Sequence, residues 1–194
     1  MKNIIFILLS IVCISNISYS QSEEQTDPLL LDIEDNWRSE RLTFPIRFAP
    51  SLDYDGIEEV RFAPGWPDKN SPEFWTYTFL WYLDTNPELT KRKLSVDLAA
   101  YFDGLMNLVS RGESKEFPSE VTIKRIGDSA FYEGEARIYD AFFTKEMITL
   151  QVSIEEQYCK LNDKYTVLFK FTPKKTDDPL WTKLNNIQLN FKCN

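Results

Sequence analysis

Four stretches after Pro118 alternate in polarity residue by residue, and this period of two constrains the fold more than any other feature of the chain. They span 121–126, 131–142, 147–158 and 165–172, and Gly127-Asp128, Thr144-Lys145 and Asn162-Asp163 stand between them as turn signals. In the third stretch Ile148, Leu150, Val152 and Ile154 point one way, and Thr149, Gln151, Ser153 and Glu155 the other. Consecutive strands with such short connections make an antiparallel meander with one dry face and one wet or partly covered face. Gly134, inside the second stretch, marks a bulge or a place where a large neighbour packs closely.

Upstream the pattern is different. Pro45, Pro50, Pro64 and Pro67 forbid a long helix and leave short extended pieces such as 57–62. Residues 74–83 read as a strand with Trp75, Tyr77, Phe79, Trp81 and Leu83 on one face and Phe74, Thr76, Thr78, Leu80 and Tyr82 on the other, so both faces are covered. Asn86 as cap, Pro87 at the first helical position and Glu88 in the first turn predict a helix over 87–111. Leu94, Leu98, Tyr101, Leu105, Leu108 and Val109 supply its apolar stripe, and Gly112 its left-handed end. The run Lys91-Arg92-Lys93 opposes the helix dipole and predicts an irregular first turn. A second helix follows Asp178 as cap, with Leu180, Trp181, Leu184, Ile187 and Phe191 on one face. The fold expected is α+β, a mostly antiparallel sheet carrying a long central helix and a C-terminal helix in a sandwich, as one domain over 37–194.

The N-terminus reads as an address. Lys2, the apolar run 4–14 and small residues at Ser18 and Ser20 form a signal peptide over 1–20, cut near Ser20-Gln21, followed by a flexible polar segment over 21–36. The apolar run is shorter than the roughly 20 residues of a membrane-spanning helix, so an exported chain, periplasmic or extracellular and with no transmembrane segment, is expected. Cys13 leaves with the leader; as a lipid-attachment site it lacks a small residue before it. Cys159 and Cys193 then remain as an even pair, which an oxidising compartment favours as a disulfide; a reactive thiol or a metal site completed by carboxylates are the alternatives.

The formal charge of −8 and the scattered basic residues exclude a nucleic-acid footprint and disfavour an anionic membrane surface. The chain has no His, which removes Ser-His-Asp and Cys-His catalysis and the His-containing zinc sites. Its six glycines form neither a P-loop nor GxGxxG, so no nucleotide and no other cofactor is expected. Asp53, Asp55, Glu58 and Glu59 around Gly56 have oxygen donors for calcium without the EF-hand spacing, and read as a solvated turn; no metal site is assigned. Paired carboxylates hydrolyse glycosides without His, and Glu58, Glu59, Glu133 and Glu135 are the candidates, the last two sharing one strand face. Trp66 lies in a loop between two prolines: exposed beside a cleft it is a platform for a sugar ring or another hydrophobic ligand, and buried it belongs to the core. Trp66, Asp55 and Glu59 are the candidate ligand-binding residues.

The motif Phe48-Ala49-Pro50, then Glu58-Glu59-Val60-Arg61-Phe62-Ala63-Pro64-Gly65-Trp66, then Phe74-Trp75-Thr76-Tyr77-Thr78-Phe79-Leu80-Trp81 resembles a group of uncharacterised secreted bacterial proteins that brings no activity with it. The ending Leu180-Trp181-Thr182-Lys183-Leu184-Asn185-Asn186-Ile187 to Phe191 resembles the closing helix of Mog1/PsbP-like domains, which implies a helix across an antiparallel sheet and transfers no functional residue. The function expected is a non-enzymatic binding or interaction module for a protein or a carbohydrate. A small carboxylate-dependent hydrolase of the glycosidase kind is the alternative.

Overall fold

The alternating stretches form the larger part of one seven-stranded, wholly antiparallel sheet in a computed structural model that describes residues 28–194. In chain order the elements are β1 (Leu31–Asp32), β2 (Arg38–Thr43), β3 (Gly56–Phe62), β4 (Tyr77–Leu83), α1 (Lys91–Val109), β5 (Glu120–Arg125), β6 (Phe131–Tyr139), β7 (Met147–Cys159), β8 (Lys164–Thr172), α2 (Leu180–Asn185) and β9 (Gln188–Leu189). The main sheet runs β2-β3-β4-β8-β7-β6-β5, and β1 pairs with β9 in a second sheet of two strands. The class is the α+β one that the sequence pattern implies. The leader, its cleavage site, Cys13 and the lead-in up to residue 27 lie outside the described residues. No described helix is long and apolar enough to cross a membrane.

The order of the strands follows from one crossing. β2, β3 and β4 are joined in sequence, α1 then carries the chain over the sheet to its far edge, and the meander from β5 returns until β8 meets β4. Phe79 lies opposite Phe169 and Tyr77 opposite Phe171 at this junction, with Leu80 opposite Leu168 on the reverse side. Both faces of β4 and β8 are therefore dry. One core places Leu94, Leu98, Tyr101, Phe102 and Met106 of α1 against Val60, Phe79, Trp81 and Phe169. The other sets Leu80 and Leu168 against Leu31, Trp37, Trp181, Leu184 and Ile187. Each large side chain buried this way stabilises by about 1.5–3 kcal/mol.

Several expectations move. Helix α1 starts at Lys91: the side chain of Asn86 accepts from Glu88 N at 2.8 Å in a local turn, and Thr90 is the cap, accepting from Lys93 N at 3.1 Å. Its first turn is regular despite its charges, because Lys93 reaches Asp97 Oδ2 at 3.1 Å and Tyr54 Oη at 2.7 Å. Leu108 is 58% exposed, and Phe102 and Met106 complete the buried stripe instead. Gly112 is left-handed at φ 102°, as expected. Strand β4 starts at Tyr77 because Trp75, at φ 53°, turns the chain. Helix α2 ends at Asn185; Ile187 stays buried, but Leu189 pairs with Leu31 instead of continuing a helix. A Cβ on Gly134 would sit 2.0 Å from Thr122 O, so the close neighbour there is the backbone of β5.

The N-terminal boundary is also corrected. Residues 28–36, which the sequence places in a flexible segment, are part of the fold: Leu31 is buried, and Glu59 holds the backbone above it, accepting from Leu30 N at 2.8 Å and Leu31 N at 3.2 Å. The polarity of the stretch before Pro28 masked the Leu29-Leu30-Leu31 run that follows. At the other terminus Cys159, at the end of β7, is bonded to Cys193, which staples the C-terminal tail to the sheet. The residues lie 34 apart in sequence. Removing the link in a C159S/C193S protein is expected to lower unfolding stability by about 3–4 kcal/mol on chain-entropy grounds, read from the urea midpoint at unchanged slope.

Candidate functional site

Alternation along β3 decides which side chains meet. Glu58, Val60 and Phe62 lie opposite Trp81, Phe79 and Tyr77 and share the face under α1, whereas Glu59 and Arg61 lie opposite Leu80 and Thr78 on the reverse face. The two adjacent carboxylates thus point to opposite sides of the sheet. Glu59 is structural in its contacts: besides the backbone of Leu30 and Leu31 it meets Arg41 at 2.9 Å and Arg61 at 3.7 Å. Burial lowers the pKa of Arg61, and the carboxylate of Glu59 opposes that shift.

On the α1 face the side chains leave a cavity of about 140 Å³. Val60 and Phe62 of β3, Tyr77 of β4 and Leu42 of β2 form the sheet side. Tyr101 and Leu105 of α1 close it from above together with Phe48. Gly104 allows that closure, since a Cβ there would stand 1.9 Å from Phe48 O. Trp66, Trp75 and Phe142 build the end wall, and Arg38 and Glu40, both exposed, complete the lining at its mouth. The walls are ring against ring: Trp66 lies 4.7 Å from Phe62 and 5.7 Å from Trp75, and Tyr77 stacks on Phe171 at 4.9 Å. Arg38 sits over Phe62 at 4.6 Å and pairs with Glu40 at 3.1 Å, so the charges at the mouth cancel.

Behind this wall lies Glu58, fully buried. Its Oε2 accepts from Trp81 Nε1 at 2.6 Å and its Oε1 from Tyr101 Oη at 2.8 Å. Both partners are neutral, and burial outweighs their hydrogen bonds, pushing the Glu58 carboxyl up to about 7. Burial also raises Tyr101 and Tyr77 well above the usual phenol range, and the charge of Glu58 adds to the shift in each.

Trp66 is 8% exposed and packs in the main core, so the buried alternative holds and the open platform is corrected, although the side chain also lines the cavity. Asp55 is elsewhere, exposed in an open hollow with Thr43, Tyr82 and Asp84 at the end of β3. The three candidate binding residues are therefore not brought together: Trp66 is in the cavity, Glu59 on the reverse face and Asp55 at the strand end. Glu133 and Glu135 share a hollow on β6 but are engaged, by Lys124 at 3.6 Å and Gln151 at 2.9 Å. No group of three or more metal-ligating side chains occurs among the described residues. The hollow beside Asp55, about 450 Å³, and one over Thr166 and Leu168, about 360 Å³, are larger but more open. In the sequence Trp75, Tyr77 and Tyr101 read as members of strand and helix faces, and their convergence is not visible there. The density of aromatic residues over 62–81 was the available signal.

The buried carboxyl gives a pH dependence of known sign. A folded pKa raised to about 7 from 4.5 means that the folded state binds the proton more tightly, so this contribution is complete below about pH 4.5 and is lost as pH rises through 7. Stability of the protein relative to Glu58→Gln is expected to fall by on the order of 3 kcal/mol between pH 4 and pH 8, measured by urea unfolding of both proteins at each pH. A flat difference would place Glu58 in a polar environment. No protein-family model, no curated protein and no solved structure matches the chain.

Proposed function

We propose that this chain is an exported, non-enzymatic binding module whose aromatic cavity takes a small, largely apolar molecule. The observation that carries the reading is a hollow of about 140 Å³ walled largely by rigid rings, beneath a helix and the three loops that bring Phe48, Trp66 with Trp75, and Phe142. An apolar cavity of about 150 Å³ stays dry and admits a benzene-sized guest. A free sugar is a poor fit to such a lining, because its hydroxyls need several polar partners. Export rests on the leader-like N-terminus, and the Cys159–Cys193 bond agrees with an oxidising compartment.

The hydrolase reading requires two carboxylates converging on one cleft. Glu58 and Glu59 diverge across β3, and Glu58 faces neutral donors behind the cavity wall. Glu133 and Glu135 lie on an open strand face with partners of their own. Binding without turnover is the reading that the geometry supports better.

Toluene is the first probe, as an apolar ring of matching size. At about a hundredfold excess over its Kd it is expected to stabilise the protein by about 2.7 kcal/mol, seen as a raised unfolding temperature. A cavity-filling Leu105→Trp variant is expected to abolish the shift while remaining folded by circular dichroism. Absence of any shift with toluene, cyclohexanone and phenol would sink the proposal.

A further inference from the structure

We infer that the occupant of this cavity is a small, uncharged ring compound carrying one hydroxyl group, a phenol or a cyclic alcohol, seated against the hydroxyl of Tyr77; the inference rests on the binding reading above. Tyr77 is only 4% exposed, lines the cavity and is in ring contact with Phe62, Trp75 and Phe171. Its Oη makes no hydrogen bond to any other described residue, yet it keeps surface accessible to solvent. With rings on its other sides, that surface opens on the cavity. The large majority of buried side-chain polar atoms are paired, so a hydroxyl left open inside an apolar hollow marks where the polar group of a guest belongs.

The rest of the wall offers nothing comparable. The indole nitrogens of Trp66 and Trp75 are sealed within it. Tyr101 Oη donates to Glu58 Oε1 at 2.8 Å, and Arg38 and Glu40 pair with each other at 3.1 Å at the exposed mouth. Leu42, Val60, Phe62 and Leu105 have no polar side-chain atom. A single open polar contact in a lining of rings and aliphatic chains sets the class of guest: an apolar body that fills the hollow, with one polar group at one end. A hollow of about 140 Å³ is the size for one six-membered ring.

The charge behind the wall selects that group. Burial first, and then the charge of Glu58, holds the proton on Tyr77, so Tyr77 stays a neutral phenol. The same charge draws the Tyr77 proton toward Glu58 and turns the lone pairs of the oxygen toward the guest, which must therefore bring a donor. Tyr101 Oη, whose proton is committed to Glu58, can likewise only accept. A hydroxyl supplies a donor without a charge, whereas a ketone or an ether brings none. An ammonium group would leave water for a wall behind which Glu58 already serves Trp81 and Tyr101, and a carboxylate guest would face that charge with no donor of its own.

The test is isothermal titration calorimetry of the protein and of Tyr77→Phe, which keeps the ring and removes the hydroxyl, with phenol, toluene and cyclohexanone. Toluene measures the burial of the ring alone. The affinity for phenol relative to toluene is expected to fall about tenfold in the variant, the loss of one hydrogen bond, and that for cyclohexanone relative to toluene to change less than about twofold. An unchanged phenol ratio would overturn the role of Tyr77 and leave an apolar cavity intact. An equal fall for cyclohexanone would overturn the hydroxyl in favour of an acceptor on the guest. Failure of every probe to bind either protein would overturn the binding reading itself. If the variant does not fold, a crystal structure of the unsubstituted protein with phenol decides: the phenol oxygen is expected about 2.7–2.8 Å from Tyr77 Oη, and phenol seated with its oxygen at the mouth would overturn the inference.

Discussion

The register between β4 and β8 is the constraint on which the rest of the molecule depends. Phe79 opposite Phe169, with centroids 4.5 Å apart, and Tyr77 opposite Phe171 at 4.9 Å join two units that are remote in sequence. The reverse faces of the same strands pair Leu80 with Leu168. A slip of one residue would exchange the aromatic face for the one carrying Thr78 and Lys170 and disrupt both cores at once. Because β8 must end beside β4, the meander has to begin at the far edge, and α1 has to cross the sheet to reach it.

The cavity is a consequence of that crossing. Tyr101 of α1 stacks on Phe79 at 5.2 Å, which holds the helix over the central strands and leaves its flank toward β2 and β3 to be closed by loops. Those loops bring Phe48, Trp66, Trp75 and Phe142, whose rings are rigid and cannot collapse around a gap as aliphatic chains do. Glu58 ties wall to sheet by bridging Trp81 and Tyr101. A buried carboxylate with neutral partners is costly for stability alone, so its place between the central aromatic ladder and the cavity wall links the ionisation of one group to the shape of the site.

Much of this architecture is legible in the chain because period two is a local property. The meander follows from Ile148 to Ile154 and their neighbours, and the two covered faces of β4 follow from Thr76, Thr78 and Leu80 alternating with rings. Long-range pairing leaves no such trace. β2, with its polar Arg38, Ser39 and Glu40, shows no strand pattern of its own and is a strand through its pairing with β3, and the Leu29-Leu30-Leu31 run reads as lead-in until Glu59 captures its backbone. Asn86 carries the signature of a cap, yet its side chain closes a local turn on Glu88 and Thr90 caps the helix instead. The site was harder still. Adjacent glutamates invite a catalytic reading in one dimension, yet a strand sends them apart, and the residues that do converge are aromatics whose ordinary place is the core.

Whether a ring-walled cavity is built into the core is tested most directly by a crystal structure of the protein under xenon pressure, since xenon enters dry apolar cavities. A xenon peak bounded by Trp66, Trp75, Tyr77 and Leu105 is expected. A well-ordered crystal with those side chains in mutual contact and no peak between them would contradict it.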